Sequence, residues 1–163
     1  MKPPLLSRLC FAALLLLGFS CQSSQPAVAS AVTVKHVIDG DTVELSDGSH
    51  LRYIGINTPE VRRRSGDHWV KDPEPYAEAA TERNRQWVEG KRVRLEFDVQ
   101  SKDRYGRWLA YVYVAEAMVN AELVREGFAQ PMTIPPNVAH ADLFKRLARE
   151  AREAKRGLWK EKR

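Results

Sequence analysis

The 163-residue sequence predicts an α+β domain in which five short strands can close into a small barrel alongside three helices. Three observations predict it. Asp-Gly pairs break the first third into short β-branched or alternating runs, a strictly alternating run follows a helical segment, and the last third has helical periodicity stopped by glycines.

In chain order, "VTVKHVI" (32–38), "DTVELS" (41–46) and "HLRYIGIN" (50–57) read as three antiparallel strands in a meander. Asp39-Gly40 and Asp47-Gly48 turn the chain between them, the second pair being a strong hairpin signal. "TPEVRRRSGDHWVKDPEP" (58–75) loses all period and gathers charge and proline, so it reads as a long loop, of a length associated with function or disorder. "YAEAATERNRQWVEG" (76–90) reads as a helix: Pro75 precedes its first turn, Ala77, Ala80, Trp87 and Val88 are available for packing, and Gly90 stops it.

Val93, Leu95, Phe97 and Val99 then alternate with Arg92, Arg94, Glu96 and Asp98, the pattern of a half-buried strand. "RWLAYVYV" (107–114) is apolar on both faces, as a strand covered on both sides must be. "MVNAELVREG" (118–127) is a short helix closed by Gly127, and a last helix over residues 138–156 ends at Gly157. On that helix Leu143, Leu147 and Ala151 form an apolar face, and Lys145, Arg149, Arg152 and Arg156 read as a solvated stripe opposite it. No internal repeat is visible.

The first 29 residues read as a leader. Lys2 and Arg8 precede or border the apolar run "LCFAALLLLGF" (9–19), and small residues follow, which is the layout of an export signal. A membrane-spanning helix needs roughly 20 apolar residues, so the run is too short to be one. Two exits stay open: "GFSC" ending at Cys21 resembles a lipoprotein signal with Cys21 lipidated, and Ala27-Val28-Ala29 fits ordinary cleavage after Ala29. The expected organisation is a signal over 1–21 (or 1–29), a flexible linker over 22–31, a single domain over 32–159 and a basic tail over 160–163. Export is therefore expected, to an anchored or a released state, with membrane contact only through lipid on Cys21.

Both cysteines, Cys10 and Cys21, lie in that leader, so the domain is expected to fold without a disulfide. Net charge is +5 for the whole chain; loss of residues 1–21 removes Lys2 and Arg8 and leaves 24 basic against 21 acidic residues, or +3. A balance that mild makes the distribution of charge more informative than its sum. No oligomer interface is legible, and a monomer is expected.

Four pieces carry chemistry: Asp39-Gly40-Asp41-Thr42, Arg52, Asn57-Thr58-Pro59-Glu60 and Asp103-Arg104-Tyr105-Gly106-Arg107. Gly40 and Asp39 suit a turn, but Asp41 begins a strand, where aspartate is disfavoured. Its oxygens, with those of Asn57, Glu60 and the backbone near Thr58, form a hard donor set suited to Ca²⁺ rather than zinc. The histidines, His36, His50, His68 and His140, show no ligand spacing and read as surface residues. Guanidinium groups such as Arg52 and Arg107 can take up charge gathering on phosphorus oxygens, and Glu60 could activate water. Arg62, Arg63 and Arg64, directly after Glu60, are placed to meet a polyanion.

"VIDGDTVEL", "LRYIGINTPE", "EPYAEAA", "DRYGRWLAYVYV", "VNAELVREGFAQ" and "AKRGLW" together resemble the staphylococcal nuclease (thermonuclease) family, from about Val32 to Trp159. The resemblance implies a five-stranded OB-type barrel with three helices and a Ca²⁺-dependent nuclease of DNA and RNA, indifferent to sequence and leaving 3′-phosphate ends. It also implies that Asp41, Asn57 and Thr58 (through its carbonyl) hold the metal and that Glu60 is the general base. Arg52 and Arg107 would bind the reacting phosphate, Tyr105 a neighbouring one.

Two departures matter. Asn57 stands where a second calcium aspartate is expected, so affinity should fall to the weak range, about 10⁻⁴ to 10⁻³ M. "PMTIPPN" (131–137) offers no stacking ring, for which Trp69 or Trp108 could compensate. The expected substrate is single-stranded or flexible DNA or RNA. The rival reading is a non-catalytic OB-fold module that binds nucleic acid at the cell envelope.

Overall fold

The computed structural model describes residues 28–160. Its strands are β1 (Val28–Val37), β2 (Thr42–Leu45), β3 (His50–Tyr53), β4 (Gly55–Asn57), β5 (Arg62–Ser65) and β6 (His68–Lys71), followed by helix α1 (Ala77–Val88). Then come β7 (Arg92–Glu96), β8 (Trp108–Val114), β9 (Ala117–Met118), α2 (Val119–Arg125), β10 (Gln130–Met132), α3 (Ala141–Glu153) and a 3₁₀ turn over Gly157–Trp159.

The main sheet runs β3-β2-β1-β7-β8-β9, and β3 also pairs with β8, so β1, β2, β3, β7 and β8 close into a five-stranded barrel. The closing pair is parallel, Leu51↔Trp108 to Tyr53↔Ala110, while the other barrel pairs are antiparallel. This is the α+β, OB-type barrel with three helices that the sequence predicts. Closure leaves no free edge in the barrel. Val34, Val43, Leu51, Tyr53, Val93, Leu95 and Val112 are buried inside it, while Tyr111 faces the other way and packs against His140 and Phe144.

Three departures from the sequence reading have physical causes. Residues 50–57 are two strands and not one, because the chain bends at Ile54 and Gly55 takes φ +80°. A Cβ on Gly55 would lie 2.3 Å from the Phe144 ring, so glycine there lets α3 pack against the bend. The supposed loop 58–75 contains the β5–β6 hairpin, in register from Arg62↔Lys71 to Ser65↔His68. All eight of its residues are exposed, so no apolar alternation could announce it. Finally, β1 starts at Val28, within the segment read as linker, since Val28 pairs with Glu96 and Ala29 with Leu95.

Helix α1 packs on β1, α2 on β8 and β4, and α3 on α2, β4 and β10. On α3, Phe144, Leu147, Ala148 and Ala151 are buried, while Lys145, Arg149 and Arg152 stay exposed, as the predicted stripe requires. Buried Asn120 of α2 accepts from Val112 N and donates to the Ile54 carbonyl, pinning the helix to β8 and to the bend. His140 departs from its expected surface role: its ring stands edge-on to Tyr111 at 4.4 Å and shares a hydrogen bond with Glu96 at 2.7 Å. The residues before Val28, with Cys21 and the leader, lie outside the described residues, as does most of the basic tail. Among the described residues no helix is long and apolar enough to cross a membrane.

Candidate active site

The turn between β1 and β2 is built for close approach. Ile38 and Asp39 both donate backbone N–H bonds to the Thr42 carbonyl, and Asp39 Oδ1 accepts the N–H of Asp41 at 3.0 Å. Gly40 does not take a positive φ here; it is required because a Cβ would lie 2.6 to 2.8 Å from the Thr58 side chain. That contact brings the turn against the strand end at Asn57-Thr58. Buried Asn84 of α1 fixes it from behind, donating to the Asp39 carbonyl at 3.1 Å and accepting from Tyr53 Oη at 3.0 Å.

Asp41 sits on the floor of the site with its side chain only 6% exposed. Its Oδ2 accepts the Thr58 N–H (2.9 Å) and Thr58 Oγ1 (3.1 Å) and pairs with Arg52 Nη1 (3.0 Å). Among the described residues Oδ1 has only a long bond from Thr42 Oγ1, 3.3 Å. Burial pushes the Asp41 carboxyl up to about 7, against the pull of Arg52; Asp39 pushes the same way and the Thr58 bonds oppose it.

Arg52 reaches across from β3, paired in register with Thr42. Its guanidinium also donates to the Tyr53 carbonyl (2.7 Å) and to Asn57 Oδ1 (3.0 Å), so it joins the two halves of the oxygen cluster. Asn57 Nδ2 donates to the Thr58 carbonyl at 3.3 Å. Glu60 stands further out. Its backbone is clamped to Glu74 in both directions, Glu60 N to Glu74 Oε2 and Glu74 N to the Glu60 carbonyl. Among the described residues nothing donates to the Glu60 carboxylate, and burial, then Asp39, raise it above the ordinary glutamate range.

Arg107 enters from the Asp103–Arg107 turn. Its Nε donates to Asp103 Oδ2 at 2.7 Å, and Asp103 Oδ1 accepts the N–H groups of Tyr105 and Arg107. Burial would raise Asp103, but these bonds outweigh it and hold the carboxyl below its ordinary range. The guanidinium therefore has a fixed inner edge, while 32% of the side chain remains exposed.

Asp41, Arg52, Glu60 and Arg107 line one cleft of about 870 Å³, which also takes in Asp39 and Arg62. Arg52 and Arg107 also line a neighbouring pocket of about 450 Å³ with Tyr105 and Ile134. Asn57 and Thr58 do not line the cleft; they are bonded to Arg52 and Asp41, which do. The three hairpin arginines separate: Arg62 faces the cleft, Arg63 is paired with Asp72 (2.6 Å), and Arg64 bonds the Gly66 carbonyl near the hairpin tip. Trp108 packs partly buried against the core under Lys102, whereas Trp69 is exposed and lines the cleft. The roles of Asn84 and Asn120 had no signal in the sequence beyond a polar residue on a helix face that should be apolar.

The donor set suits a hard cation. Asp41 is a buried carboxylate whose ionisation is opposed by burial and by Asp39, and a cation beside it would relieve both. The other oxygens at hand are the Asn57 amide and the Thr58 carbonyl. Among the described residues no three His, Cys, Asp or Glu side chains converge as a ready metal cage, so a cation would depend on amide, carbonyl and water oxygens as well.

Comparison with known proteins agrees with this arrangement. The profile of the family described as staphylococcal nuclease homologue matches residues 50–161. The chain is 36% identical to the thermonuclease of Staphylococcus intermedius over 141 residues, 85% of this chain and 81% of that one. It is 36% identical to the thermonuclease of Staphylococcus hyicus over 129 residues, 77% and 73% of the two chains. With endonuclease YncB of Bacillus subtilis the identity is 35% over 133 residues, 78% of this chain and 61% of the relative. Barrel, cleft and matched sequence coincide over most of the chain, which belongs to the staphylococcal nuclease family.

Proposed function

We propose that the protein is a calcium-dependent, sequence-nonspecific endonuclease that hydrolyses phosphodiester bonds of DNA and RNA to leave 3′-phosphate ends. The observation that carries this reading is the convergence of buried Asp41, Arg52, free-ended Glu60 and Arg107 on one cleft. Nuclease and endonuclease names among the relatives support the reaction class.

In this reading, Glu60 takes a proton from water as the water attacks phosphorus in line with the departing 5′ oxygen. The P–O5′ bond breaks, the 5′ oxygen takes a proton from solvent, and the phosphate stays on the 3′ side. Arg52 and Arg107 meet the charge that develops on the phosphorus oxygens, and Asp103 holds Arg107 in place for that task. Calcium, when bound, would add positive charge at those oxygens, held by Asp41 with Asn57 and the Thr58 carbonyl. Tyr105 would contact a neighbouring phosphate; Arg62, with Arg63 and Arg64 further out, would attract the polyanion. Export, with lipid on Cys21 or cleavage after Ala29, and a monomeric state complete the proposal.

One observation favours a binding module instead: Asn57 brings no charge to a cation, and one lone pair of its Oδ1 is already taken by Arg52 Nη2. The deciding test is end analysis of single-stranded DNA incubated with the protein in calcium and in chelator. Cutting in calcium alone, with 3′-phosphate ends, is expected; binding without cutting at millimolar calcium would favour the module.

A further inference from the structure

We propose that the β5–β6 hairpin carries a base-stacking subsite for single-stranded nucleic acid, with Trp69 as the platform and Arg62 and Lys71 holding the backbone beside it. The proposal rests on the nucleic-acid reading above and adds a residue and a strand preference to it.

The register of the hairpin decides which side chains share a face. Arg62 lies opposite Lys71 and Arg64 opposite Trp69, while Arg63 lies opposite Val70 between them. Side chains alternate along a strand, so Arg62, Arg64, Trp69 and Lys71 are on one face and Arg63 and Val70 on the other. Arg62, Trp69 and Lys71 of that face line the cleft, whereas Arg64 turns to Gly66 and Asp67 at the hairpin tip and does not; Arg63 and Val70 do not line it either. One face of the hairpin thus continues the catalytic cleft, bringing two cations and an indole to it.

The indole has no structural employment there. Every residue of the hairpin is exposed, and Trp69 is 68% exposed, so the ring packs into no core. Among the described residues it has no aromatic or cation partner and its Nε1–H has no acceptor. It is also the one Trp, Tyr or Phe lining that cleft among the described residues. An exposed aromatic between cations, beside a phosphate-binding centre, matches the recurring composition of single-strand sites: a positive track for the backbone with a flat ring for a base.

The flanking charges are available. Arg62 has no ion pair among the described residues, and the Lys71–Glu78 contact is an exposed pair that exchanges at little cost. Arg63, by contrast, is held by two bonds to Asp72 on the other face. A duplex keeps its base faces stacked inside, so only an unpaired base can lie on Trp69. Charge complementarity and continuity with the cleft therefore select a single strand leaving the catalytic phosphate along the hairpin.

The test is binding of a labelled 12-nucleotide oligothymidylate, and of a duplex of the same length, measured by anisotropy in chelator so that nothing is cut. Trp69→Ala should weaken single-strand binding roughly 5- to 150-fold, the range that one aromatic–base stack supplies, with duplex binding within twofold of the parent. Trp69→Phe should keep most of the affinity, and the parent's tryptophan fluorescence should be quenched by the single strand. Single-strand affinity of Trp69→Ala within twofold of the parent, or equal losses on both substrates, would overturn the subsite. The calcium-dependent cutting assay on the parent reads separately: a parent that stacks its strand on Trp69 but never cuts keeps the subsite and loses the nuclease, and the reverse result does the opposite.

Discussion

Asp41 should make the stability of the metal-free protein fall with rising pH. Burial lifts its folded-state pKa from an ordinary 3.8 to about 7. Below the lower value both folded and unfolded chains carry the proton, and the stabilising difference is fully present. As pH rises from about 4 to 7 the unfolded chain ionises while the folded one keeps its proton, so stability is lost until the folded carboxyl ionises as well. Between pH 5 and pH 8 the loss from this one group comes to about 3 kcal/mol. Glu60 is raised too, in the same direction, so the parent's slope alone does not isolate Asp41. The assay is therefore urea denaturation in chelator at pH 5 and pH 8 for the parent and for Asp41→Asn. The parent should lose about 3 kcal/mol more than the variant over that interval. Equal losses would refute the reasoning and mean that Arg52 and the Thr58 donors keep Asp41 ionised in the folded state.

Three further outcomes are expected. Arg107→Ala, which removes a guanidinium held by Asp103 but leaves Asp41 paired, should slow calcium-dependent cutting by roughly 10³ to 10⁵; a rate within a few fold of the parent would contradict its role. Calorimetry should give a calcium dissociation constant of about 10⁻⁴ to 10⁻³ M, tightened by Asn57→Asp, and micromolar binding by the parent would be inconsistent with the donor set. Asn84→Ala should destabilise the fold by about 1 to 3 kcal/mol, because it strands the buried Tyr53 hydroxyl and releases the Asp39 carbonyl; an unchanged urea midpoint would show that water takes over both bonds.

Much of the barrel was legible because its strands advertise themselves locally. Asp47-Gly48 marks the β2–β3 turn, and Val93 and Leu95 alternate with Arg92 and Arg94 as a half-buried strand must, although the alternation read on to Val99 overshoots: the strand ends at Glu96 and Val99 is exposed. Parallel closure of β3 on β8 has no local signature, since the partners lie far apart in sequence; only the resemblance of whole motifs implied it. The hairpin was invisible for the opposite reason: RRRS and HWVK bury nothing, so no hydrophobic period survives. Asp41 stood out because it read as an acid at the start of a strand; in the structure it lies in the bend just before β2, which begins at Thr42, and is buried against the cleft. Gly40 was legible as a turn glycine, and the structure supplies the cause: the approach of Thr58, not a positive φ, excludes a side chain. Which of the three hairpin arginines faces the cleft depends on strand register, and that cannot be read from a run of identical residues.

The most direct measurement is the rate of single-stranded DNA cleavage in calcium by the parent and by Glu60→Gln, which keeps the shape of the side chain and removes its basicity. Calcium-dependent cutting by the parent, reduced at least a hundredfold in the variant, is the predicted result, in keeping with the usual contribution of a positioned base of roughly 10² to 10⁴. Cutting that persists at the parental rate in Glu60→Gln would contradict the assignment of the base in this cleft, and no cutting by the parent would contradict the nuclease itself.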